Sequence, residues 1–183
     1  ELLAIGYAQP RAETDYLYSN TNTVLAALIA EQLEGKPIAQ IFQERLFTPL
    51  GMDDTVFPDV ESNAIPEPFT HGYMYGTNVS TMNGALTEEE QALIATGGET
   101  PVDHTFDNPS WGWAAGAGIS TVPDLVTWVE ALSGGELLDE ESQSLRMGSL
   151  QPTNPDMPEA AKYGLANAQF GPFYGHSGGL PGY

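Results

Sequence analysis

The sequence predicts an α/β chain that is mainly a helical lobe, with strands returning to a sheet at its C-terminal end. Three observations carry this. Capped helical patterns recur from residue 20 to residue 147, and the strand-like segments 163–170 and 172–177 come only afterwards. Gly 20 and Pro 14 in 183 residues mark a loop-rich chain, yet stay below the roughly 25–30% share of low-complexity sequences.

Taken in order, residues 20–34 form the first helix. Ser19–Asn22 offer an N-cap, and Val24, Leu25, Leu28, Ile29 and Leu33 fall on one face before Gly35. Pro37 suits the first turn of a second helix, with Ile38, Ile41, Phe42 and Leu46 as its buried stripe and Pro49 as its end. Residues 50–86 read as loop with short strands. Thr87 and Glu90 have capping-box spacing for a helix to about Thr96. The Gly- and Trp-rich stretch 97–120 is irregular. Thr121 and Asp124 repeat the capping pattern, with Pro123 in the first turn and Leu125, Val126, Val129 and Leu132 following as far as Gly134–Gly135. A short helix covers about 139–147, and Gly171–Pro172 separates the last two strand segments. No internal repeat is present. The predicted division is a helical lobe over 1–170 and the start of a sheet strand over 171–183, feeding a sheet that the chain itself does not contain.

Composition narrows the function. A content of 41% hydrophobic and 10% aromatic residues is enough for a core, and a chain of this size buries about 70% of its unfolded surface. Five Lys+Arg against 25 Asp+Glu give a net charge of −20, while total charge is only 16% where about 25% is ordinary. The acids are normal in number and the bases are scarce. Such a field repels phosphate backbones and anionic membrane surfaces, so neither nucleic acid nor a membrane surface is an expected partner. Solubility in an extracellular or salty medium accounts for the charge without a ligand. No apolar run approaches the ~20 residues of a membrane span. With Cys 0, disulfides, thiol nucleophiles and Cys–zinc sites are excluded. Glu1 is neither Met nor part of a signal peptide, and Tyr183 falls just after a Gly-rich stretch; a segment of a longer protein is the expectation.

Three histidines, His71, His104 and His176, lack metal-site spacing, and surface or loop roles are expected for the first two. Gly175-His176-Ser177-Gly178-Gly179 matches G-x-S-x-G, but a nucleophile elbow needs an Asp and a His after it, and neither follows Gly179 within this chain. Taken alone, Tyr18-Ser19-Asn20 at the entrance to the first helix reads as an N-cap with a packed tyrosine.

The tripeptide also opens a longer ordered pattern. Tyr18-Ser19-Asn20 precedes Ile41-Phe42 and Leu46-Phe47-Thr48-Pro49-Leu50-Gly51-Met52, with Thr55 and Phe57. Ala115-Gly116-Ala117-Gly118-Ile119-Ser120-Thr121, Asp124-Leu125, Gly134-Gly135, Tyr163-Gly164-Leu165 and Tyr174 through Tyr183 complete it. The run resembles the serine β-lactamase and penicillin-binding protein family over nearly the whole chain. The likeness is strongest to the branch of class C β-lactamases, D-alanyl-D-alanine carboxypeptidases and related esterases.

That family uses S-x-x-K, Y-x-N and K-[ST]-G. Tyr18 and Asn20 match the second motif. His176-Ser177-Gly178 matches the third with His for Lys, a form closer to the carboxypeptidases and D-aminopeptidases. No S-x-x-K occurs in the chain, so the resemblance implies that the nucleophilic Ser and its Lys lie upstream of Tyr18, and that the last strands follow Tyr183. It further implies a β-lactamase/transpeptidase-like fold and acyl-enzyme hydrolysis of D-Ala-D-Ala-like peptides, β-lactams or small esters. Tyr18, Asn20 and His176 would be catalytic. Ser177 would hold a substrate carboxylate, Gly178 and Gly179 would let backbone approach the substrate, and the Gly179 N–H would join the oxyanion hole. Trp111 would line the pocket, with loop packing as the equal alternative. No metal or organic cofactor is implied. The expected partners are a small-molecule or peptide substrate and the rest of the same polypeptide; the expected location is secreted or periplasmic, in the cell envelope. A catalytically dead binding or sensing module is the rival, and the upstream S-x-x-K separates the two.

Overall fold

In the computed structural model, residues 16–76 and 86–183 are described, and the chain divides into two units. One holds residues up to Val60 together with Ser110–Ser177; the other holds Glu61–Pro109 and Gly178–Tyr183.

In the first unit, helix α1 runs Asn20–Glu34. Ser19, in extended conformation, caps it by accepting the Thr21 N–H. Its buried positions are Val24 and Ala27, whereas Leu28 and Ile29 are exposed and Leu33 is 81% exposed. The predicted stripe is therefore rotated toward the small residues. Ala27 packs with Ile38 and Ile41, and Ala30, Phe42, Phe57, Trp113 and Ala114 close around them. An alanine face lets the α1 backbone approach that cluster, which the leucine face would hold off.

Helix α2 (Ile38–Phe42) continues through a π-helical turn (Gln43–Phe47) into α3 (Thr48–Leu50). Ile38, Ile41 and Phe47 are buried. Pro49 does not end this helix, as the sequence suggested. The π turn starts a fresh turn at Thr48, where a residue without an N–H is tolerated, and the stop comes at Gly51, left-handed at φ 68.

Helix α5 (Val122–Gly134) follows the capping pattern, with Thr121 accepting the Asp124 N–H. Here too the apolar residues are outside: Val126 and Val129 are exposed, and Leu125 with them. The inward group is Asp124, whose carboxylate accepts the Thr55 hydroxyl at 2.7 Å and the Asp54 N–H at 3.0 Å. Thr55 also shares a hydrogen bond with Ser120, and Val56 pairs with Ile119. A buried carboxylate needs such donors, and these set the rotation of the helix. Asp139 caps α6 (Glu140–Gly148).

Four short strands follow: β3 (Gln151–Pro152), β4 (Lys162–Tyr163), β5 (Ala168–Phe170) and β6 (Phe173–Gly175). They form an antiparallel sheet in the order β3-β4-β5-β6. The chain thus carries a small sheet of its own, which the sequence reading did not anticipate. Segment 163–170 is two strands, since Gly164–Asn167 closes a turn through the Gly164 N–H and the Asn167 carbonyl. The 170/171 division made from sequence falls in the tight turn between β5 and β6.

In the second unit, β1 (Tyr73–Met74) pairs with β2 (Val102–Asp103), and α4 (Glu88–Ala95) begins with the Thr87–Glu90 capping box. Within the loop-rich 50–86 stretch, residues 77–85 lie outside the described residues. Asp103 is this unit's most perturbed acid. The Thr105 hydroxyl, then the Thr105 N–H, then His71 donate to it, which lowers its pKa to about 2. The sign follows: a depressed carboxyl stabilises the fold above an ordinary Asp pKa of about 3.9, and that contribution is lost as pH falls toward 2. Thr105→Val raises the Asp103 midpoint toward the ordinary value, and His71→Gln raises it by less. Carboxyl ¹³C shifts against pH read both; an unmoved midpoint in Thr105→Val contradicts the assignment.

Candidate active site

The Y-x-N pair is made by the entry to α1. Ser19 is extended (φ −148, ψ 120), so residues 18 and 20 project to the same side of the chain. The Tyr18 hydroxyl donates to Asn20 Oδ1 at 2.8 Å. Ser19 does serve as the cap, yet Tyr18 beside it is not packed away: it is 44% exposed.

Sheet register delivers the histidine. Tyr163 on β4 lies opposite Ala168 on β5, and Ala168 lies opposite Gly175 on β6. His176 follows the last paired residue. Its Nε2 lies 2.9 Å from the Tyr163 hydroxyl, and its Nδ1 lies 2.5 Å from the Ser177 carbonyl. The rings of Tyr163 and His176 are 5.5 Å apart, and Tyr18 is 5.6 Å from Tyr163 and 5.8 Å from His176. Tyr16 adds a contact with Tyr163 at 5.8 Å. Burial, then the Tyr18 and Tyr16 phenols, push the Tyr163 pKa above the ordinary tyrosine value; burial, then Tyr18, do the same for Tyr16. Both keep their protons through neutral pH.

Three of the sequence-predicted residues, Tyr18, Asn20 and His176, therefore meet at one cluster. Ser177 is exposed, and its carbonyl anchors the histidine. Gly178 and Gly179 fall in the second unit, and a Cβ at either position would meet nothing within 4 Å. The H-S-G motif was expected on a strand, but β6 stops at Gly175 because β5 begins at Ala168 and offers no further partner. Trp111 sits in a 3₁₀ turn (Pro109–Trp111), 39% exposed, and is not among the rings that contact the cluster. Its neighbour Trp113 packs against the core.

Tyr163 and Tyr16 had no role in the sequence reading. The one available signal was Tyr163 within the Tyr163-Gly164-Leu165 pattern, at a strand position 13 residues before His176. Gly164 is required beside it, since a Cβ there would lie 2.2 Å from Ser149 Oγ, the atom that accepts the Leu165 N–H.

His71 pairs with Asp103 and His104 with Asp107. Among the described residues, no group of three or more His, Asp or Glu could hold a metal ion. Lys36 and Lys162 are bound to Glu44 and Glu159, and neither stands three residues after a serine. No helix among the described residues is long and apolar enough to cross a membrane. Chemically, the cluster offers a solvent-accessible phenol, an amide and an imidazole that can carry charge: a set able to move a proton and hold a polar substrate.

Comparison with known proteins identifies the fold and the family. A D-stereospecific amidohydrolase from Streptomyces sp. superposes with a TM-score of 0.79 at 29% identity, over 99% of this chain and 49% of that one. The D-amino acid amidase of Ochrobactrum anthropi SV3, complexed with D-phenylalanine, gives 0.72 at 27%, over 95% and 47%. Penicillin-binding protein 4* of Bacillus subtilis (strain 168) is 26% identical over 186 residues, 97% of this chain and 37% of that protein. The chain thus spans about half the length of the solved relatives and less of the curated one. The Beta-lactamase family model matches residues 3–183. With that match running almost end to end, and solved hydrolases sharing its fold, the chain belongs to the Beta-lactamase family of serine hydrolases.

Proposed function

We propose that the protein carrying this chain is a serine acyl-enzyme hydrolase for amides and peptides with a D-residue at the scissile bond, the D-Ala-D-Ala and β-lactam class included. The observation that carries this reading is the Tyr18–Asn20 hydrogen bond beside the Tyr163–His176 pair. A phenol and an amide from the entry to α1 meet a histidine that follows β6, and these are the residues of Y-x-N and H-S-G. The two D-specific amide hydrolases among the similar structures support the D-residue.

In this reading a serine supplied by an S-x-x-K segment attacks the carbonyl. As its Oγ–C bond forms and the C–N bond breaks, the serine proton passes by way of Tyr18 to the leaving amine. Water then adds to the acyl ester, cleaves it and returns a proton to the serine. Asn20 orients the substrate amide, Ser177 receives a substrate carboxylate, and Trp111 lines the pocket. Gly178 leaves room for the substrate, and the Gly179 N–H stabilises the oxyanion with the serine's own N–H. The acidic, base-poor surface fits work outside the cell or in its envelope.

The full-length protein is expected to hydrolyse D-phenylalaninamide or a D-Ala-D-Ala peptide in preference to the L form. Labelled penicillin is expected to attach to a serine followed by Lys three residues later. An adduct on Ser19 or Ser177, or neither adduct nor turnover, overturns the proposal; the latter outcome favours a binding module.

A further inference from the structure

We propose that Tyr163 is a positioning residue for His176: its phenol locks the imidazole into the Nδ1–H tautomer and holds the ring beside Tyr18 in both protonation states. The role in turnover rests on the hydrolase reading above; the tautomer does not.

The argument begins with the two ring nitrogens. Nδ1 lies 2.5 Å from the Ser177 carbonyl oxygen, which can only accept, so Nδ1 carries a hydrogen. In the neutral ring Nε2 then has a lone pair, and the group 2.9 Å away is the Tyr163 hydroxyl, which can donate to it. Free imidazole side chains favour the opposite tautomer, with hydrogen on Nε2. The two contacts together reverse that preference.

Tyr163 is suited to remain a donor. Burial and the neighbouring Tyr18 and Tyr16 phenols keep it protonated above the range in which an imidazole titrates. When the imidazole gains its second proton, Nε2–H donates and the phenol oxygen accepts, so the pair keeps one geometry while the charge changes. The titratable groups against the ring are Tyr18 from the segment ahead of α1 and Tyr163 from β4; Tyr16 lies against Tyr163, and Lys162, next on β4, is paired with Glu159. Tyr163 is itself fixed by the β4–β5–β6 register and by the close Gly164–Ser149 approach. This differs from packing alone, because packing needs the ring and tautomer control needs the hydroxyl.

Tyr163→Phe separates the two, since it keeps every ring contact. In full-length protein labelled with ¹⁵N-histidine, the His176 ring nitrogens of the native protein are expected to report the Nδ1–H tautomer above the imidazole midpoint. In Tyr163→Phe the population shifts toward Nε2–H. With a D-amino acid amide as substrate, kcat falls roughly 10-fold and KM stays within twofold, the range expected when an orienting partner is lost. An unchanged ¹⁵N pattern overturns the proposal. So does an unchanged kcat in a protein whose native form turns over the amide. A shifted tautomer in a protein inactive in both forms supports the positioning and refutes the hydrolase reading instead.

Discussion

Tyr18→Phe in the full-length protein is expected to lower kcat on a D-residue amide by roughly 10²–10⁴-fold while the fold survives. The substitution removes one oxygen. The ring contacts with Tyr163 and His176 depend on the aromatic body and remain. The lost hydrogen bond to Asn20 is exposed, so water replaces the donor at little cost to stability. The α1 cap belongs to Ser19 and is untouched. A thermal midpoint close to native with kcat collapsed identifies the hydroxyl as a proton carrier. A kcat within twofold of native leaves Tyr18 as an exposed ring beside a cap, with no part in proton transfer.

His176→Lys is expected to extend activity to higher pH. An imidazole changes charge between about pH 5 and 8, while a lysine ammonium holds its proton to about 10. A cation close to a phenol favours its ionised, base-competent form by about 1–3 pKa units. Loss of a cation beside Tyr18 on the alkaline side removes that preference, so native kcat/KM falls there by at most the roughly 10–10³-fold that 1–3 pKa units represent. The lysine variant stays level through that range. The measurement is kcat/KM against pH for both proteins. Coincident alkaline limbs mean that His176 works as a neutral hydrogen-bonding group.

The local features of the fold were legible because their causes are local. Ser19, Thr87 and Thr121 each cap the helix that follows, and a cap needs only a side chain within three residues of an N–H. Y-x-N was legible for the same reason, since an extended Ser19 puts residues 18 and 20 on one side. Burial was not legible where its cause was remote. Leu28, Ile29 and Leu33 on α1, and Leu125, Val126 and Val129 on α5, form good apolar stripes, yet the structure turns Ala27 and Asp124 inward. Periodicity counts apolar residues on a face; it cannot see that an alanine permits closer approach, or that Thr55, nearly seventy residues away, supplies a donor to a buried carboxylate.

By itself the sequence determined the helix starts, the Tyr18–Asn20 pair, the family and the absence of an S-x-x-K motif within these 183 residues. Each depends on residue identity or short spacing. Tertiary structure decided that segment 163–170 folds back on itself and that the four strands after residue 150 pair in one sheet. It also decided that Tyr163, without a role in any motif, hydrogen-bonds His176. That contact exists because three strands in register carry Tyr163, Ala168 and Gly175 across one sheet, and register is a property of paired backbones that no linear spacing encodes.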